Sequence, residues 1–108
     1  MKVPMKRNTY QNAYPNVLKV VAATFAEKRK ERKQSQEELA SHVDVTRNCV
    51  QQIECEEHFP HVVLFLKLIR ELKIDPEPFI NALLAALEKD EEQQRKETET
   101  EHVLVSHH

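Results

Sequence analysis

Apolar residues recur at helical spacing along most of this chain. Residues 15–33 carry a stripe in which the apolar positions lie three or four residues apart, formed by Val17, Leu18, Val21, Ala22 and Phe25. Residues 76–89 repeat the pattern with Phe79, Ile80, Leu83, Leu84 and Leu87, whereas residues 61–72 are apolar on most sides. The spacing predicts three helices, and the most apolar of them has to be central or to face a partner.

Residues 36–54 predict two further, short helices that are joined by a tight turn. Ser35 and Thr46 stand where an N-cap hydroxyl can hold a free backbone N–H of the helix that follows. Asp44 lies at the turn, where the chain needs a left-handed residue, and Asp tolerates that conformation better than most residues other than glycine. The second short helix is expected over residues 47–54.

Polar side chains remain for the outer face of that helix, and they are Arg47, Asn48, Gln51 and Gln52. The opposite face is apolar and suits a core, together with Leu39, Ala40 and Val45. An ordinary solvated face would more often carry Glu–Lys pairs. Arginine pairs well with guanine, and asparagine and glutamine pair well with adenine, so the major groove of DNA is the leading candidate for what this face meets.

Composition favours an all-helical protein. The chain has 108 residues, enough for one domain, and contains no glycine, which a sheet protein with tight hairpins could hardly do without. Residues 1–54 hold ten Lys/Arg and six Asp/Glu, a balance of +4, and residues 55–108 hold six and twelve, a balance of −6. The basic half can meet phosphates although the whole chain carries a net charge of −2.

The two ends of the chain are polar and divide from a central domain over residues 15–89. Residues 1–14 form a basic, flexible leader that is either a disordered terminus or an arm placing Lys2, Lys6 and Arg7 against DNA. Residues 90–108 form a polar, acidic tail without an apolar stripe, and either extend the last helix or are disordered.

The sequence contains no pattern that indicates catalysis, metal binding or membrane insertion. Neither a nucleophile with its base nor a phosphate-binding loop can be assembled, so we expect no enzyme, no cofactor and no metal. No apolar run approaches membrane length. Cys49 and Cys55, the only cysteines, point to a reduced, cytoplasmic protein.

The segments SQEELA (35–40), VTRNCVQQIE (45–54) and VVLFLKLIRELKIDPEPFI (62–80), with Pro60 before the last, resemble the lambda-repressor-like (Cro and phage-repressor, XRE-type) helix-turn-helix family. The resemblance covers about residues 17–84. It implies a compact five-helix, all-α domain that binds double-stranded DNA as a dimer and regulates transcription, repressor-like in character.

The resemblance also assigns roles to residues. Gln36 matches a position that commonly touches DNA near the phosphate backbone, and Arg47, Asn48 and Gln52 match positions that reach base edges, with Thr46 and Gln51 as neighbours. Phosphate contacts are expected from Lys2, Lys6, Arg7, Lys28, Arg32 and Lys33. Three departures stand out: Lys33 and Asp44 replace glycines, and Glu56–Glu57 occupy a loop that in the family often approaches phosphates.

Assembly is the remaining expectation. The apolar excess of the last two helices would leave a patch on a monomer, which pairing of two copies through Ile80, Leu83, Leu84 and Leu87 would bury. The rival interpretation is that the last helix folds back and completes the core of a monomer. A second function also stays open, an antitoxin-like module in which these helices and the acidic tail engage another protein.

Overall fold

The chain forms five helices within the part that the structure, a computed structural model, describes, which is residues 13–106 with side chains up to residue 97. We number them α1 (Pro15–Glu31), α2 (Gln36–His42), α3 (Arg47–Glu54), α4 (Val62–Glu71) and α5 (Pro76–Ser106). No strand occurs within these residues. The all-helical class predicted from the composition is confirmed, as are the helix over 47–54 and its short partner.

Side chains cap the starts of the short helices as the sequence predicted. Ser35 forms a full capping box on α2, in which its hydroxyl accepts from the Glu38 backbone N–H at 3.0 Å and the Glu38 carboxylate accepts from the Ser35 N–H at 2.8 Å. Thr46 Oγ1 accepts from the Cys49 N–H at 3.1 Å on α3. On α4 the cap is His61, whose Nδ1 accepts from the Leu64 N–H at 3.3 Å.

The ends of the first four helices share one geometry. Each is followed by a left-handed residue, with φ of 57° at Lys33, 62° at Asp44, 63° at Glu56 and 53° at Lys73. The next residue donates its backbone N–H to a carbonyl five residues earlier, for example Val45 to Ala40 at 3.0 Å and Ile74 to Ile69 at 3.0 Å. This is the Schellman motif, which ordinarily uses glycine at the left-handed position. The left-handed backbone expected at Asp44 is therefore present.

The core lies where all five helices meet. Phe25 of α1 contacts Phe65 of α4 and Phe79 of α5 edge to face, with ring centroids 5.8 and 5.6 Å apart, and Phe65 stacks on Phe79 at 5.6 Å. Around this aromatic group are buried apolar side chains of α2, α3, α4 and the connections, including Leu39, Ala40, Val43, Val50, Ile53, Leu64, Leu68, Leu72 and Ile74. Helices α2 and α3 pack on each other, and α1 packs on both α3 and α5.

Helix α5 is longer than the stripe predicted, because it runs past Lys89 to Ser106. Its first half completes the core through Phe79 and, partly buried, Leu83. Its middle, at Asp90 and Gln94, lies against the start of α1, where Asp90 is 2% exposed. Of the two alternatives for the tail, the structure has the extended helix over the residues that it describes. The polar composition predicts a helix solvated on all sides or a disordered segment, yet Asp90 and Gln94 contact the start of α1.

Asp90 caps the start of α1 from a distance of 74 residues. One carboxylate oxygen accepts from the Asn16 backbone N–H at 3.1 Å and from its side-chain Nδ2 at 2.8 Å, and the other accepts from the Val17 N–H at 3.0 Å. Tyr14, the N-cap residue itself, provides no side-chain cap, so α5 supplies the acceptor that the local sequence lacks. One turn later, Gln94 donates to the Ala13 carbonyl at 2.6 Å.

Candidate nucleic-acid interface

Helix α3 is held by one face and presents the other to solvent. Val50 and Ile53 are buried against the core, and Cys49 is partly buried beside them. Arg47, Asn48 and Gln51 are exposed, while Gln52 is partly buried. The structure thus places Arg47, Asn48 and Gln51 on one exposed surface, as their three- and four-residue spacing on a helix requires, with Gln52 partly buried at its edge.

The start of α3 is suited to an anion. Thr46 is exposed, but its hydroxyl oxygen is engaged as the cap of Cys49 N–H. No acidic residue lies in the first turn, and Arg47 opens the helix. The positive end of the helix dipole and the arginine charge therefore point the same way.

A buried ion pair ties α3 to α1, and sequence reasoning did not find it. Arg29 donates from Nε to Glu54 Oε2 at 2.7 Å and from Nη2 to Glu54 Oε1 at 3.1 Å. The two side chains are only 11% and 7% exposed. Arg29 Nη1 also donates to the Gln34 carbonyl at 2.7 Å, which holds the connection between α1 and α2. In the sequence, Arg29 is one of several cations at a charged helix end, so no local signal distinguishes it from its neighbours.

Gln36 belongs to the same network. Its Nε2 donates to Glu54 Oε1 at 2.9 Å, and the residue is partly buried. The side chain expected to touch DNA near a phosphate is therefore engaged within the protein and links the start of α2 to the end of α3. Its direct effect in this structure is to orient the two helices relative to each other.

The predicted phosphate-binding cations divide into two groups. Lys28 is partly exposed and lies 3.6 Å from Glu31, and Arg32 and Lys33 are exposed at the end of α1. Arg32 and Lys33 precede α2 in the sequence, and Arg29, next to Lys28, contacts Gln34 before α2 and Glu54 at the end of α3. Lys2, Lys6 and Arg7 lie outside the described residues.

The predicted pairing residues on α5 are not equivalent. Ile80 and Leu84 are exposed, Leu84 by 54%, whereas Leu83 and Leu87 are partly buried and Leu83 packs on the core of its own chain. Helix α4 adds an exposed apolar face of Val62, Val63 and Leu66, of which Val62 is 68% exposed. The sequence had not separated the residues of α5 that complete the core from those that stay uncovered.

Comparisons of the chain with protein-family models, with curated proteins and with solved structures give no match. Among the described residues, none of the helices combines the length and the apolar character needed to cross a membrane. No group of three or more His, Cys, Asp or Glu side chains in the same part of the chain is arranged to hold a metal ion.

Proposed function

We propose that this chain is a sequence-specific DNA-binding regulator of transcription, repressor-like, that places α3 in the major groove. The observation that carries the proposal is the docking of α3, with Val50 and Ile53 buried and Arg47, Asn48 and Gln51 exposed on the opposite side. Two short helices joined by a four-residue turn, the second with polar residues at its exposed start, have the form of a helix-turn-helix reader.

The charges near α3 agree with this role at one end of the helix. Arg47 is the first residue of α3 and follows the Thr46 cap. Arg32 and Lys33 are exposed cations after the end of α1, whose Arg29 contacts Glu54 at the other end of α3. The resemblance to lambda-repressor-like proteins over residues 17–84 points the same way. Gln36 acts in this proposal through Glu54, by fixing the angle of α3, and not as a free phosphate ligand.

The proposed reader is a homodimer. Ile80 and Leu84 on α5 and the α4 face of Val62, Val63 and Leu66 are the apolar surface that a second copy would cover. A two-fold dimer would place two copies of α3 about one helical turn of DNA apart, roughly 34 Å, and would read a pseudo-palindrome.

Selection from a random duplex pool at physiological salt tests this function. We expect recovery of a pseudo-palindromic site whose half-sites are spaced by one DNA turn. As a matched control, the same selection is made with Asn48→Ala/Gln51→Ala, two exposed substitutions that leave the core and the ion pair intact. A wild-type pool that shows no enrichment over the control pool would contradict the proposal.

A second function, an antitoxin-like protein-interaction module, has its own supporting observation. The exposed apolar face of α4 and α5 is well suited to a non-identical helical partner. The two functions separate in one experiment, in which Val63→Glu/Leu66→Glu and Asn48→Ala/Gln51→Ala are compared. Loss of a stable hetero-complex only in the first variant, without specific duplex binding by the wild type, would favour the interaction module.

A further inference from the structure

Helix α3 carries opposite charge at its two ends. Arg47 opens the helix at the positive end of the dipole, and no basic residue lies in its last turn. After the helix ends, Glu56 and Glu57 follow the C-cap residue Cys55, and both are exposed. The eight residues of α3 span about 12 Å, so cation and carboxylates are separated by little more than that length.

The two glutamates are fixed to the helix. Glu56 is left-handed, with φ of 63°, and donates its backbone N–H to the Ile53 carbonyl at 3.2 Å. The Glu57 N–H donates to the Gln52 carbonyl at 2.9 Å. The acceptors of these two bonds lie in the last turns of α3, and one of them belongs to Gln52, a predicted base-reading residue. The backbone that carries the carboxylates therefore moves with α3 when the helix enters a groove.

From this geometry we infer that Glu56 and Glu57 limit the sequence-independent part of DNA binding. The inference rests on the proposed function, and it names the two residues that would set the strength of DNA binding. Phosphates are present on every duplex, so carboxylates held beside the reading helix lower the affinity for all sequences alike. Base contacts by Arg47, Asn48 and Gln52 then have to supply the difference in affinity that makes one site stable.

The expected size follows from simple electrostatics. A carboxylate about 7 Å from one phosphate in a water-like dielectric changes an equilibrium constant by roughly a factor of three. Removing both carboxylate charges should therefore tighten binding about ten-fold at low salt. Replacing them with lysines should add up to two phosphate contacts and steepen the salt slope by up to about 1.8.

The test compares Glu56→Gln/Glu57→Gln with wild type on two duplexes, the site recovered by selection and a scrambled sequence of equal composition. Glutamine has nearly the same size as glutamate and the same steric preference at the left-handed position 56, so the substitution removes charge without adding backbone strain. The control is Glu91→Gln/Glu92→Gln, which changes net charge equally. The control residues lie far from Glu56 and Glu57. Asp90, next to Glu91, contacts α1 at Asn16, whereas Glu54, close to Glu56, contacts α1 at Arg29, and these two positions on α1 are about 20 Å apart.

We expect equal tightening on both duplexes for Glu56→Gln/Glu57→Gln, and less than two-fold change for the control, with urea denaturation used to show that each variant is folded. Wild type that binds its selected site while the variant shows no gain would overturn the inference and leave the proposed function standing. Absence of duplex binding by wild type, the glutamine variant and Glu56→Lys/Glu57→Lys at 50 mM salt would overturn the proposed function itself.

Discussion

At the scale of single residues, the helix ends are the positions where this chain departs most from ordinary usage. Lys33, Asp44, Glu56 and Lys73 are left-handed although each has a Cβ. That conformation costs a residue other than glycine about 1–2 kcal/mol. Asp is less penalised than Lys, because its short polar side chain can bond locally. The Schellman hydrogen bonds that follow each position offset part of this energy.

Glycine at these positions should stabilise the protein. We expect Lys73→Gly and Lys33→Gly to raise the free energy of unfolding by about 0.5–1 kcal/mol each, after the entropy of glycine in the unfolded chain is subtracted. Asp44→Gly should gain less. Urea denaturation followed by circular dichroism gives the ranking. Lys30→Gly, in the helical part of α1, is the control and should lose about 1 kcal/mol. Equal changes in the free energy of unfolding for Lys30→Gly and Lys73→Gly would contradict the claim that the backbone at Lys73 is strained.

Base reading by α3 makes a separate residue-scale prediction. Arg47→Ala, Asn48→Ala and Gln52→Ala should each weaken binding to the selected site by about 1–3 kcal/mol. Asn48→Ala should leave the affinity for a scrambled duplex nearly unchanged, since no charge is removed. Titration of both duplexes at one salt concentration measures the difference. Equal losses on the two duplexes would assign these side chains to phosphate contacts alone.

At the scale of helices, α1 depends on α5 for its first turn. Asp90 accepts three hydrogen bonds there and is buried, so its removal leaves two backbone N–H groups without their acceptor. We expect Asp90→Ala to lower the free energy of unfolding by about 2–4 kcal/mol. Glu92→Ala, exposed on the same helix, should change it by less than about 0.5 kcal/mol. Chemical denaturation measures the free energy of unfolding of the two variants. Similar denaturation midpoints for Asp90→Ala and Glu92→Ala would show that the cap contributes little to stability.

The link between α1 and α3 makes a second prediction for the helices. Glu54→Ala leaves the Arg29 guanidinium, 11% exposed, without its carboxylate, and also releases Gln36. A loss of about 3–5 kcal/mol is expected for breaking one side of a buried pair. Lys28→Ala breaks an exposed pair on the same helix and should cost less than about 0.5 kcal/mol. Thermal unfolding of both variants provides the comparison, and a Glu54→Ala midpoint close to that of Lys28→Ala would be inconsistent with a buried pair.

What the sequence predicted and what it missed follow from the range of the interactions. The caps at Ser35 and Thr46 and the left-handed Asp44 act within four residues, so local patterns contained them. The apolar stripes predicted the helices for the same reason. The roles of Arg29 and Asp90 depend on partners 25 and 74 residues away, and a polar residue gives no local sign of such a partner.

At the scale of the whole molecule, the uncovered apolar face predicts self-association. Sedimentation at micromolar concentration should give the mass of a dimer for the wild type. Ile80→Glu/Leu84→Glu introduces charges into two exposed positions and should give a folded monomer with weaker binding to the selected site. Gln93→Glu, exposed further along α5, is the control and should remain dimeric. A wild-type monomer that binds its site at full affinity would reject the pairing.

The cap that Asp90 places on α1 also sets an order of events during synthesis. Asn16 is made 74 residues before the carboxylate that will accept its N–H. At about 5–20 residues per second, a ribosome needs roughly 4–15 s to add that length. Through that interval the first turn of α1 can bond only to water, while α2 and α3, which are close in sequence, already have each other. Helix α1 is made before α2 to α5 and is therefore among the last of the described helices to reach its final stability, because the start of α1 stays uncapped until α5 has been added.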